Sequence, residues 1–289
     1  MRDVENKVAF ITGGASGLGL AMARSFSAAG MKVVIADVQQ DALDQVQAEF
    51  EGANAEMLPL LLDVTDRQAM ETAADLAEEK FGKIHVMCNN AGVAVGGPID
   101  DMSYEDWDWV MGVNLNGVIN GVRTFVDRMK SHGEGGHFVN TASMAGHMAF
   151  ANLSVYNTSK FAVVGLSEAM REDMAPHNIG VSVLCPGVVT TGIFDSGRNR
   201  PEALQREKDT ASMVLNPDSE DLSSAERVEA LFASALEPQV VGDMVLQGVI
   251  DNDAYIFTHP ELKEATDARK QQMDEAFAKW SKYRSTQNV

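Results

Sequence analysis

Short apolar runs and helix-period segments alternate along the chain. The runs, most of them rich in Val and Ile, lie at residues 8–12, 32–36, 57–62, 84–88, 137–140, 181–185 and 254–258. The helical segments lie at 17–29, 40–50, 67–81, 104–130, 155–175 and 240–252. Strands that alternate with helices rejoin one sheet through right-handed crossovers, which make the strands parallel and place helices on both faces. The expected fold class is α/β, a doubly wound parallel sheet of about seven strands.

No compositional break or internal repeat divides the 289 residues, so a single domain over 1–289 is expected. Residues 187–225 interrupt the rhythm with Gly192, Gly197, Pro201 and Pro217, and a long irregular segment after a strand's carboxyl end reads as a substrate lid. Residues 259–289 read as a charged C-terminal helical extension packed on the body or on a partner subunit. With 42 acidic and 23 basic residues the formal charge is −19, which disfavours nucleic acid and anionic membranes as partners. The two cysteines, Cys88 and Cys185, sit inside apolar runs as buried thiols, and no run of eighteen apolar residues occurs. A cytoplasmic protein is expected.

The first run passes through Thr12-Gly13-Gly14-Ala15-Ser16-Gly17-Leu18-Gly19 straight into a helical segment. Gly13, Gly17 and Gly19 permit a tight turn, and the backbone N–H groups around Ser16 and Leu18 meet a pyrophosphate at the helix N-terminus. Together with the alternation this makes the sheet one of the Rossmann type. Asp37 ends the second run 24 residues after Gly13, where a carboxylate accepts hydrogen bonds from an adenosine ribose and repels a 2′-phosphate. Neither Ser16 nor Val38 is basic, so NAD is favoured over NADP. Asp63 and Val64 end the third run, and Asn89-Asn90-Ala91-Gly92 ends the fourth, both at the carboxyl edge where such sheets bind ligands.

Tyr156 and Lys160 stand one helical turn apart on a common face. At about 4 Å and an effective dielectric near 20, an ammonium favours a phenolate by about 4 kcal/mol, enough to bring the phenol towards use as a base. Ser143 lies thirteen residues earlier, beyond the fifth run. The six histidines show no paired ligand spacing and G-x-S-x-G is absent, so neither a metal site nor a serine hydrolase is indicated.

These pieces, with Asn114 and Pro186-Gly187-Val188-Val189-Thr190-Thr191, resemble the short-chain dehydrogenase/reductase family in order and spacing over about residues 5–190. The resemblance implies that Tyr156 is the general base of a hydride transfer. It implies that Lys160 binds the nicotinamide ribose and depresses the Tyr156 pKa with the assistance of the positive oxidised ring, and that Ser143 holds the substrate oxygen. Asn114 would interrupt its helix and hold a water in the proton path, with Asn116 as the competing candidate. The Asn90 and Gly92 turn would border the cofactor, and Pro186, Gly187, Val189 and Thr191 would fix its carboxamide. A homodimer or homotetramer, paired through the helices carrying Asn114 and Tyr156, is implied as well.

Met144, Phe150, Val188 and Phe194, with Ala145, Met148, Ile193, Val93 and Val95, should border the substrate, and none of them is charged. An apolar pocket for a bulky secondary alcohol or ketone is expected. Residues 109–129, 195–202 and 241–259 further resemble bacterial dehydrogenases that oxidise the benzylic Cα alcohol of lignin-derived β-aryl ethers. Hydroxysteroid, alicyclic and polyketide alcohol dehydrogenases are the alternatives the wider family offers. A non-catalytic NAD-binding protein is disfavoured by the intact set of Asn114, Ser143, Tyr156 and Lys160.

Overall fold

The computed structural model describes residues 1, 3–206 and 234–287. Among these, β1 (Val8–Thr12), β2 (Lys32–Asp37), β3 (Met57–Leu61), β4 (Val86–Asn89), β5 (Gly136–Thr141), β6 (Ile179–Cys185) and β7 (Tyr255–Phe257) form one sheet. Its order is β3-β2-β1-β4-β5-β6-β7 and every pairing is parallel. The strand order reverses between β1 and β4, so the carboxyl ends of these two strands open the crevice where such a sheet takes a ligand. Pro59 sits in edge strand β3 opposite Ile35, where its missing N–H can face away from the ladder.

Helices α1 (Gly17–Ala28), α2 (Gln40–Gly52), α3 (Arg67–Phe81), α4 (Tyr104–Met111), α5 (Gly117–His132), α6 (Ser154–Met174) and α7 (Pro238–Asp251) cover the sheet. Alternation along β1 sends Ala9 and Ile11 to one core, with Met22 and Phe26 of α1 and Val241 and Val245 of α7. Val8 and Phe10 face the other, with Met70 of α3, Phe125 of α5 and Met170 of α6. Phe10 and Phe125 pack with ring centroids 4.9 Å apart. Burying such a ring contributes about 1.5–3 kcal/mol. Asp66 caps α3 through the N–H groups of Gln68 and Ala69, and α5 ends where Gly133 turns left-handed at φ 68°.

The helical segment expected over 104–130, with a local interruption at Asn114, is α4 and α5 joined by a π-helical turn, Gly112–Asn116. Tertiary bonding accounts for the extra residue in the turn, because the Asn114 side chain is drawn inwards to the backbone of Val93. The chain divides into two compact units, Met1–Thr258 and His259–Val289. The second contains α8 (Lys263–Thr286), none of whose residues is buried. Of the segment 187–225 read as a lid, residues 207–225 lie outside the described residues. No helix among the described residues is long and apolar enough to cross a membrane.

Candidate active site

The turn after β1 is tied to the turn after β4. The Thr12 hydroxyl accepts the N–H groups of Asn90 and Ala91 at 3.0 and 3.2 Å and donates to the Cys88 carbonyl at 3.3 Å. Asn90 Nδ2 donates to the carbonyls of Thr12 and Gly13 at 3.0 and 3.2 Å. Gly13 at φ +61° and Gly17 at φ +51° occupy the left-handed region that glycine adopts without penalty. A Cβ on Gly19 would fall 2.1 Å from the Gly13 carbonyl oxygen, so the turn closes onto α1 with no room for a side chain.

Ser16 is the N-cap of α1 but makes no side-chain capping bond, and the first turn carries no acidic residue. The positive end of α1 is therefore not offset by a capping side chain or by a carboxylate in its own first turn. A cavity of about 620 Å³ is lined by Gly17, Leu20 and Arg24 of α1, by Thr190, Thr191 and Gly192, and by Glu237, Pro238 and Gln239 at the start of α7. Glycines without side chains, an uncapped helix start and an adjacent cavity fit the pyrophosphate of a dinucleotide.

Asp37 is 8 % exposed at the end of β2. Its Oδ2 accepts the Ala15 N–H and its Oδ1 the Gln39 N–H, both at 3.1 Å. Each oxygen keeps a lone pair for a ribose hydroxyl. Asp63 is exposed, with Oδ1 accepting the N–H and hydroxyl of Thr65 at 2.9 and 2.8 Å, while the buried Val64 gives its carbonyl to Asn120 Nδ2 at 2.8 Å. The half-buried Gly92 lies beside both Asn114 and Lys160; a Cβ there would be 3.5 Å from Asn114 Oδ1 and 3.7 Å from Lys160 Nζ.

Tyr156 and Lys160 lie one turn apart on α6, with Nζ 5.5 Å from the phenol ring centroid. The ammonium is 4 % exposed and donates to the Thr141 carbonyl at 2.9 Å. Burial lowers the Lys160 pKa to about 8. Burial also pushes the Tyr156 phenol up to about 12, and a hydrogen bond with Ser143 acts in the opposite sense. The expected depression of the phenol by lysine is thus not met within the chain alone. Desolvation of the phenolate is the largest cause, and the ammonium is engaged by the Thr141 carbonyl.

Ser143 Oγ accepts the Ala145 N–H at 3.1 Å and donates to the Pro186 carbonyl at 3.4 Å. Asn114 is 1 % exposed, whereas Asn116 is exposed. Both hydrogens of the Asn114 amide are used, to the Val93 carbonyl at 2.9 Å and Ser159 Oγ at 3.1 Å, and its Oδ1 accepts the Val93 N–H at 2.8 Å. The side chain is a scaffold between the β4 end and α6: both amide hydrogens are taken, and Oδ1 keeps one lone pair.

The Pro186 carbonyl accepts the Met144 N–H at 2.9 Å, and the Gly187 N–H donates to Thr258 Oγ1 at 3.1 Å. Val189 is buried, and Thr191 faces Gly17, where a Cβ would lie 3.2 Å from Thr191 Cγ2. On the substrate side Met144 is buried, Val188 and Phe194 are half-buried, and Phe150 is exposed. Sequence reasoning missed Thr141, Ser159 and Ser196. Ser196 is 4 % exposed and accepts the Ala94 N–H at 3.0 Å, pinning the segment after β6 to the segment after β4. These are ordinary polar residues whose partners are distant in sequence.

The short chain dehydrogenase family model matches residues 7–202, and this chain belongs to that family. It is 38 % identical over 279 residues to a Cα-dehydrogenase of Sphingobium sp. (strain NBRC 103272 / SYK-6), covering 96 % of this chain and 88 % of that one. Among solved structures, a short-chain dehydrogenase/reductase from Burkholderia phymatum in complex with NAD is 37 % identical with a TM-score of 0.88, covering 96 % of this chain and 97 % of that one. The apo form of LigO from Sphingobium sp. strain SYK-6 is 38 % identical with a TM-score of 0.81, covering 97 % of this chain and 92 % of that one. The protein is an oxidoreductase of this family.

Proposed function

We propose that this NAD-dependent oxidoreductase interconverts a bulky aryl secondary alcohol, benzylic at the reacting carbon, with its ketone. The observation that carries the reading is the gathering of Ser143, Tyr156 and Lys160, the phenol bonded to Ser143 and its ring centroid 5.5 Å from Lys160 Nζ, with no charge among Met144, Phe150, Val188 and Phe194. The similarity to a Cα-dehydrogenase over nearly the whole chain supports the aryl class.

NAD, when bound, supplies the acceptor for the hydride of the carbinol carbon. Ser143 donates a hydrogen bond to the substrate oxygen and orients it. Tyr156 takes the hydroxyl proton in oxidation and returns it in reduction. Lys160 is held by the Thr141 carbonyl so that its charge stays beside the phenol and a cofactor ribose. Asn114 fixes the Val93 segment against α6, which keeps Tyr156 in register with the turn. Residues 192–206 border the substrate. The protein acts as a homo-oligomer in a reducing cytoplasm, consistent with its two buried thiols.

Assaying NADH formation from 1-phenylethanol, cyclohexanol and a 3-hydroxysteroid tests the reading, with kcat/KM at least about tenfold higher for the aryl alcohol, the span one well-filled apolar contact supplies. Equal rates on all three would remove the aryl assignment. Asp37→Ala is expected to relax the preference for NAD over NADP by about tenfold or more, since removing one carboxylate ends its repulsion of a 2′-phosphate. An unchanged cofactor ratio in that variant would sink the role given to Asp37.

A further inference from the structure

A charge cluster that takes no part in the proposed chemistry fixes the wall of the substrate crevice. Asp106, in the first turn of α4, is 0 % exposed. Its Oδ2 accepts the Ser103 N–H at 2.9 Å within the capping box that starts the helix. Its Oδ1 lies 2.7 Å from Arg200 Nη1, and its Oδ2 lies 3.3 Å from Arg206 Nε. The two arginine side chains are themselves only 7 % and 13 % exposed.

Each arginine makes a further contact. Arg200 stacks its guanidinium 5.1 Å from the Trp109 ring centroid and donates from Nε to the Leu204 carbonyl at 2.6 Å. Arg206 donates from Nη2 to the Asp101 carbonyl. One buried carboxylate therefore holds two cations of the segment after β6 against α4. Exposed ion pairs contribute little, but removing one partner of a buried cluster leaves an uncompensated charge out of water.

The clamped segment adjoins the reacting groups. Leu204 packs on the cluster formed by Val93, Val95, Trp109, Val110 and Val155. Val155 immediately precedes Tyr156, and Val93 is the backbone partner of Asn114. Ser196 bonds the same wall to Ala94 at 3.0 Å. Of residues 192–206 only Gly192 lines the cavity beside Gly17, so a displacement of residues 193–206 would open the substrate side of the crevice and leave the glycine turn untouched.

We propose that Asp106 is a positioning residue for substrate selection: through Arg200 and Arg206 it holds residues 192–206 as a fixed wall that favours bulky aryl alcohols. This rests on the aryl-alcohol reading of the crevice. Asp106 touches neither Tyr156 nor the glycine turn, so its removal acts on substrate affinity and spares the cofactor.

The test uses the full chain with NAD present and compares wild type with Asp106→Asn and with Arg200→Met, which leaves the Ser103–Asp106 cap intact. Hydrogen exchange followed by mass spectrometry should show amides of residues 192–206 exchanging at least about tenfold faster in both variants, with residues 8–20 and 154–174 unchanged. With 1-phenylethanol as probe, KM should rise about tenfold or more while kcat changes less than about threefold and NAD affinity is constant. Unchanged exchange in 192–206 would overturn the clamp. Faster exchange with an unchanged KM would overturn its role in selection. Failure of the wild type to oxidise any alcohol would strike the functional reading, and the exchange comparison would still decide the clamp.

Discussion

Tyr156→Phe is expected to lower kcat/KM by about a thousandfold while NAD affinity stays within about threefold of wild type. The ring and its packing survive the change, and Lys160 keeps its place 5.5 Å from the ring centroid and its bond to the Thr141 carbonyl. Only the proton-carrying oxygen is lost, and a positioned general acid or base typically supplies that factor, about 4 kcal/mol of the barrier. The phenol is protonated at neutral pH, as any tyrosine is, and burial pushes its pKa further up, to about 12. The protonated form donates to a ketone and the deprotonated form accepts from an alcohol. Oxidation should therefore speed up as pH rises and reduction slow down. An ultraviolet difference titration of wild type against Tyr156→Phe should show no extra phenolate near pH 10 without NAD, and a lower midpoint once NAD is added. Undiminished turnover by the Phe variant would end the assignment of Tyr156 as the base.

The sheet and the glycine turn were legible because their signals are local. Runs such as residues 8–12 became strands with the same bounds, and Tyr156 and Lys160 share a face by helical geometry alone. Less legible were features set by partners far along the chain. The break between α4 and α5 is expected at Asn114 only through the family resemblance, because its physical cause, Asn114 reaching the backbone of Val93, lies outside the 104–130 segment. The direction of the Tyr156 shift depends on how deeply the phenol is buried, and spacing to a lysine carries no information on that. Asp106 looks like any acid in the first turn of a helix, because Arg200 lies 94 residues away. The Thr141 carbonyl that holds Lys160 is invisible for a further reason: backbone acceptors are the same at every position.

Gly19→Ala is expected to weaken NAD binding by about a hundredfold, the equivalent of about 3 kcal/mol of overpacking. The new Cβ would fall 2.1 Å from the Gly13 carbonyl oxygen and 2.8 Å from its carbon, with Asn90 Nδ2 at 2.7 Å. A flexible side chain could swing away from such a clash, but two of the three atoms are backbone. Gly13 cannot retreat easily either. Its φ is +61°, its carbonyl accepts Asn90 Nδ2 at 3.2 Å, and a Cβ on its own Cα would lie 2.8 Å from Ala91 Cα. The strain is relieved only by opening the turn, which moves the N–H groups at the start of α1 away from the pyrophosphate they are proposed to hold. Gly52→Ala is the control: that glycine closes α2 with nothing within 4 Å of its added Cβ, and NAD binding should be unaffected. Isothermal titration of NAD into both variants separates the two cases. Wild-type affinity in Gly19→Ala would show that the turn yields where the geometry says it cannot, and the pyrophosphate would then have to be placed elsewhere.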